Sequence, residues 1–259
     1  MGFSALEIIM FDPADLAVTE IRRAFESSDL ACTVCAILPS GINPISTDCD
    51  ARARALHHLR RSIETASELG ARLICGPLYA PIGYLPDHRP TRDEWSWAVE
   101  SFQALGETLD ACGITLSIEP VNRSETFFLR TAREARSLCE AVGHSRIGVT
   151  IDTFHANIEE RNVPAAIASL GPYLRHLHAS ENDRGLLGSG HVDFPGIVST
   201  LMHIGYEGYL MIEGFGYCPR ETTSPGVLWA DLSVSPEQLA ANGADYLRNL
   251  IKVPFHSER

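Results

Sequence analysis

Residues 147–152 read IGVTID and residues 114–119 read ITLSIE, two runs of strand length that alternate in character and close on a carboxylate. Side chains alternate across a strand, so Ile147, Val149 and Ile151 share one face while Gly148, Thr150 and Asp152 share the other. In the earlier run Ile114, Leu116 and Ile118 oppose Thr115, Ser117 and Glu119 in the same way. An aliphatic face backed by a small, polar one suits a parallel barrel, in which helices cover the outside and the interior takes the polar set.

Working outward, runs of the same length recur at Ala5 to Met10, Ala31 to Leu38, Arg72 to Leu78, Leu174 to His178 and Tyr209 to Glu213. Between them, residues 51–69, 93–112, 131–142 and 236–251 set apolar side chains three and four apart, and Gly70 marks a helix end. This alternation, without a break in composition, predicts one α/β domain over residues 1–259, a (β/α)8 barrel of the TIM type. Such a barrel has eight strands and the pattern supplies seven, so the expectation is a barrel lacking the usual first βα unit. On this reading Gly2 to Ile9 is a helix end feeding a strand; the alternative is a weakly patterned eighth strand within 80–90.

Composition narrows the function. The 259 residues are 45% hydrophobic, enough for a large core, and 21 Lys and Arg against 33 Asp and Glu give a net charge of −12. That balance opposes binding to nucleic acid or an anionic membrane, both of which call for a basic face. No apolar run reaches the roughly 20 residues needed to span a bilayer, and the expected location is the cytoplasm. Seven scattered cysteines argue against a disulfide framework, and Cys32 and Cys35 fall on opposite faces of a strand despite their CxxC spacing.

Four successive runs end on metal-ligand types, Glu119, Asp152, His178 and Glu213, at intervals of roughly 30 residues, about one βα unit. Each is in phase with the inward face, so the four converge at the C-terminal mouth, where barrel enzymes keep their chemistry. A lone strand-end carboxylate is ordinarily a helix cap or a loop ion pair; four in phase are a site. Three carboxylates cannot stay ionised side by side without a cation. Three oxygens and one imidazole nitrogen suit Mn²⁺, Mg²⁺ or Co²⁺, with Zn²⁺ also open.

The stretches around these ends, EPVNRSE (119–125), DTFHANIEE (152–160), HASENDRG (178–185) and GYEGYLMIEGF (205–215), resemble the sugar isomerase and epimerase barrels typified by D-tagatose 3-epimerase and D-allulose (psicose) 3-epimerase. The resemblance runs from about Gly2 to the C-terminus, including VLWADLS (227–233) and the helix after it. It implies a divalent metal, Mn²⁺ first, on Glu119, Asp152, His178 and Glu213, with Glu119 and Glu213 as acid/base pair. It further implies substrate contacts at Glu125, His155 and Arg184, and more loosely at Cys35. The chain departs from the best-known ketose epimerases in lacking their opening strand and helix, in GLLGSGHVDF after Arg184, and in the non-aromatic Pro81 and Ile82.

The implied reaction is epimerisation of a free ketose at C3 through an enediolate, with the metal polarising the carbonyl and adjacent hydroxyl. Aldose–ketose isomerisation would use the same groups to move the proton between C1 and C2. An AP-endonuclease-like metal nuclease would need more histidine ligands and a basic face, and a catalytically silent barrel would not need Glu119 and Glu213. The Gly-rich stretch 185–190 lacks a P-loop lysine and reads as a mobile active-site loop. Strand edges left by the missing unit predict a homo-oligomer.

Overall fold

The run at 147–152 forms strand β5, Ile147–Asp152, buried over its whole length in the computed structural model, which describes residues 1–214 and 234–252. Its outward side chains Ile147, Val149 and Ile151 enter one continuous core with Leu116, Ile118 and Leu177 of the flanking strands. Thr150 on the other face donates from Oγ1 to Ser117 Oγ at 2.7 Å, inside the barrel, as the strand phase requires. The remaining strands are β1 (Ala5–Met10), β2 (Ala31–Ala36), β3 (Leu73–Gly76), β4 (Thr115–Ile118), β6 (Leu174–Ala179) and β7 (Leu210–Ile212). They pair in chain order, every pair parallel.

Helices α1 (Val18–Glu26), α2 (Cys49–Glu68), α3 (Arg92–Gln103), α4 (Gly106–Cys112), α5 (Ala132–Val142), α6 (Thr153–Glu159), α7 (Val163–Leu170), α8 (Phe194–His203) and α9 (Pro236–Lys252) make up the outer layer. Local chemistry starts several of them: Thr91 with Glu94 and Thr131 with Glu134 form reciprocal capping boxes at α3 and α5. The stretch 93–112, expected as one helix, is two. At Leu105 the N–H bonds Phe102 C=O one residue short of helical spacing, Leu105 turns fully into the core, and Gly106 follows against the His144 ring. A glycine at that point weakens the helix and leaves room for the ring.

The result is the expected TIM-type barrel with seven strands among the described residues, consistent with a missing first unit. Residues 80–90 hold no strand: the backbone turns at Pro81–Tyr84, and Gly83 N–H donates to Glu125 C=O at 2.8 Å. Gly2–Ser4 is not helical either, which corrects that part of the reading. Gly2 sits at φ +68°, and Arg248 Nη2 of α9 donates to the carbonyls of Met1 and Gly2 at 2.7 and 2.6 Å. Among the described residues, strands β1 and β7 face each other across a seam without ladder pairing, a cavity of about 560 Å³ lined by Ala5, Leu6, Leu210, Ile212, Leu239 and Leu247. No described helix is long and apolar enough to cross a membrane, and six cysteines are free thiols. Cys218 and residues 227–233 lie outside the described residues.

Candidate metal centre

Strand pairing holds each of the four strand-end residues in place. Glu119 follows β4 and donates its N–H to Gly76 C=O at 3.0 Å; Glu213 follows β7 and donates its N–H to Ala179 C=O at 3.0 Å. Asp152 ends β5 in register with His178 of β6. One ligand atom from each of the four lies within 4.8 Å of all the others, three of the residues buried and Glu213 partly so. His178 Nδ1 is 3.0 Å from Glu213 Oε2 and 3.4 Å from Glu119 Oε1.

Two buried atoms in this cluster make no hydrogen bond, Asp152 Oδ2 and His178 Nδ1. Asp152 Oδ1 is used locally, accepting the Phe154 N–H at 2.6 Å as N-cap of α6, so the sequence-level alternatives of cap and ligand divide between its two oxygens. Buried polar atoms are almost always satisfied, and an unpartnered carboxylate oxygen beside an unpartnered imidazole nitrogen is what a cation site leaves when its ion is taken away. Charge points the same way. Burial, then the charge of Glu213, hold Asp152 well above the usual carboxylate range. Burial also raises Glu119, with Glu213 and Glu7 adding to the shift against His178. Glu213 falls to about 2, since His178 and Arg184 together outweigh its burial. A divalent cation would relieve the repulsion among the three, so the residues present fit one.

The substrate-contact candidates gather beside the cluster. Buried His155, on the first turn of α6, accepts the Asn122 backbone N–H at Nδ1 (3.2 Å). Its Nε2 lies 3.2 Å from Arg184 Nη2, a donor, and 3.9 Å from Asp152 Oδ2. Burial and the Arg184 charge lower its pKa to about 3, so the ring stays neutral. Arg184 is buried, donates from Nη1 to Glu213 Oε1 at 2.5 Å and lies 4.1 Å over the Phe154 ring. Its guanidinium pairs with Glu213 and approaches Asp152 Oδ2 at 4.0 Å, and its φ of +58° is the single positive value found outside glycine among the described residues. Glu125 Oε1 accepts from Asn122 Nδ2 at 2.8 Å. Cys35, half-buried on β2, stands in register with Cys75 of β3, whose Sγ is 3.6 Å from His178 Nε2, while Cys32 packs outward into the core.

Three residues outside the sequence-level set belong to the site. Asn122 orients both His155 and Glu125, and its place inside EPVNRSE could have flagged it. Fully buried Glu181 accepts three backbone N–H groups, from Asn182, Gly188 and Val192, one of them inside the 185–190 stretch. Glu7, in the middle of β1, reaches His178 from the opposite side of the ring.

Comparison with known proteins agrees with the barrel fold. Residues 1–250 match the family model for a xylose isomerase-like TIM barrel. An L-ribulose 3-epimerase from Mesorhizobium japonicum is 33% identical over 236 residues, 89% of this chain and 79% of the relative. A D-psicose 3-epimerase from Ruminiclostridium cellulolyticum is 31% identical over 252 residues, covering 95% and 82%. Among solved structures, an L-ribulose 3-epimerase superposes with a TM-score of 0.88 at 30% identity, covering 97% of this chain and 85% of that one. A D-allulose 3-epimerase from Methylomonas sp. in complex with D-allulose gives 0.88 at 25% identity, covering 96% and 86%.

Proposed function

The chain belongs to the xylose isomerase-like TIM barrel family, and we propose that it is a divalent-metal-dependent epimerase acting on a free ketose at C3. The observation that carries the reading is the convergence of Glu119, Asp152, His178 and Glu213, with two buried ligand atoms unpaired, beside the neutral His155 and the buried Arg184. The names of the relatives, L-ribulose and D-psicose 3-epimerase, support the substrate class.

A cation on those four residues, Mn²⁺ ahead of Mg²⁺ or Co²⁺, would supply Lewis acidity toward the ketone and its neighbouring hydroxyl. The chain's own groups do the rest. Glu119 and Glu213 follow β4 and β7 with two strands between them, and serve as the pair in which one takes the C3 proton from one face and the other, protonated, delivers its own proton to the opposite face. Arg184 donates to oxygens on which negative charge grows as the proton leaves, and His155, 3.2 Å from its Nη2, contacts the substrate beside it. Glu125, fixed by Asn122, accepts from a sugar hydroxyl, and Cys35 is a looser substrate contact.

The test is incubation of the Mn²⁺-loaded protein with a panel of ketoses in D₂O, followed by NMR location of the exchanged carbon. Deuterium at C3 with the C3 epimer as product is the expected result. Label at C1 or C2 with an aldose product would replace epimerisation by aldose–ketose isomerisation on the same groups.

A further inference from the structure

Below the four-residue cluster the barrel interior holds a second polar layer, Glu7 of β1, Thr33 of β2, Cys75 of β3 and His176 of β6. Every inner-facing position there could have been aliphatic, since barrel interiors are ordinarily packed with branched side chains. Instead a carboxylate sits at the centre. Glu7 Oε1 is 2.8 Å from His178 Nε2. Glu7 Oε2 accepts from Thr33 Oγ1 at 2.8 Å and lies 3.0 Å from His176 Nε2 and 3.5 Å from Cys75 Sγ. The register sets Glu7 directly opposite Thr33, so the anchor comes from the neighbouring strand and the carboxylate is held at both ends.

We propose that Glu7 is a positioning residue for the metal centre: it accepts the Nε2–H of His178, locks that ring with Nδ1 facing Glu119 and Glu213, and strengthens Nδ1 as a ligand. An imidazole binds a metal through one nitrogen and donates from the other, and a carboxylate on the donor side fixes both tautomer and orientation. The His178 ring meets this requirement with Nε2 on Glu7 and Nδ1 unpartnered inside the cluster. His176, at 5.0 Å and nearly perpendicular to His178, bonds the other oxygen of the same carboxylate and prevents it from swinging away.

Glu7, Cys75, His176 and His178 could also be imagined as a cation site of their own, since one atom from each lies within 4.8 Å of the rest. The hydrogen bonding speaks for the network. Both Glu7 oxygens are already engaged by neighbouring donors, and a second ion would have to displace the Thr33, His176 and His178 groups together.

The inference rests on the metal reading above, and the experiment separates the two. Mn²⁺ binding is measured by calorimetry on the wild type, Asp152→Asn, Glu7→Gln and Thr33→Val, with the melting of each metal-free protein as a check on folding. Wild-type binding that Asp152→Asn removes supports the four-residue site. Glu7→Gln should then weaken Mn²⁺ by 10- to 100-fold, the range typical of such supporting groups, and Thr33→Val by a few-fold with no loss of fold. A folded Glu7→Gln protein that binds Mn²⁺ as tightly as the wild type overturns the role of Glu7 while leaving the metal site standing. Two Mn²⁺ ions per wild-type chain, one of them lost in Glu7→Gln, overturns it in favour of a second site. Wild-type protein that binds no Mn²⁺ overturns both readings. If Glu7→Gln does not fold, ¹⁵N–¹H correlation of the histidine rings in the Mg²⁺-loaded wild type decides: a proton on His178 Nε2 supports the proposal, and a proton on Nδ1 overturns it.

Discussion

The middle of the sheet and its two ends are built differently. Strands β5 and β6 are buried along nearly their full length and present Asp152 and His178 from a rigid, doubly paired backbone. Strands β1 and β7 are open on one side, and Leu6 and Ile9 of β1 stay 50% and 59% exposed. Yet the ends also feed the site, because Glu7 from β1 lies 2.8 Å from Nε2 of His178 and Glu213 from β7 faces its Nδ1 at 3.0 Å. The barrel is therefore joined across its seam by side chains in the interior where the backbone ladder stops. The middle thus supplies the rigid part of the candidate metal centre, and the edges supply two carboxylates that reach the same ring.

The contrast can be broken most sharply at Glu213. Because it stands on an exposed edge, Glu213→Gln should lower turnover by at least about 10²–10⁴-fold while circular dichroism and melting stay close to wild type. An equal loss of fold and activity would mean that β7 is as integral as β5. The middle should answer in stability instead. Leu116→Ala, at a fully buried site of β4, is expected to cost about 2–5 kcal/mol in denaturant titrations, whereas Leu6→Ala on the open edge should stay within about 0.5 kcal/mol.

Protonation sharpens the same comparison. In the metal-free centre Glu119 and Asp152 are raised, and His178 is held well above its ordinary value because Glu7 and Glu119 overcome its burial. These groups therefore hold protons that a cation must displace, so affinity falls as pH falls and rises as pH rises. A slope of at least about tenfold per pH unit, with proton release detected by calorimetry in buffers of different ionisation enthalpy, is the expected outcome. A flat profile would mean the ligands are already ionised. The smallest effect concerns the open edge. Self-association through β1 predicts an oligomer in sedimentation velocity that Ile9→Lys weakens, and a wild-type monomer at every concentration would show that the edge needs no partner.

How much of this could be read in advance depended on whether the signal was local. Strand β5 has the bounds the alternation gave it, and the four ligand candidates followed from strand phase, a property of a few consecutive residues. Glu7 escaped because a carboxylate in the middle of an aliphatic run has no strand-end position to mark it; its meaning lies with His176 and His178, far along the chain. The division of 93–112 into α3 and α4 likewise depends on the His144 ring, which no pattern within that stretch reveals. Arg184 and His155 were found through motifs, but their mutual approach at 3.2 Å is a matter of tertiary arrangement.

Asp152 has a consequence that reaches past binding. One of its oxygens begins the helix that carries His155, and the other stands without a hydrogen bond inside the four-residue cluster. A cation held by that cluster would pull on the start of this helix, so its binding would be felt at the proposed substrate contact His155. Asparagine at this position would keep the helix start and surrender the charge, which makes it the substitution that tells mechanical duty from chemical duty.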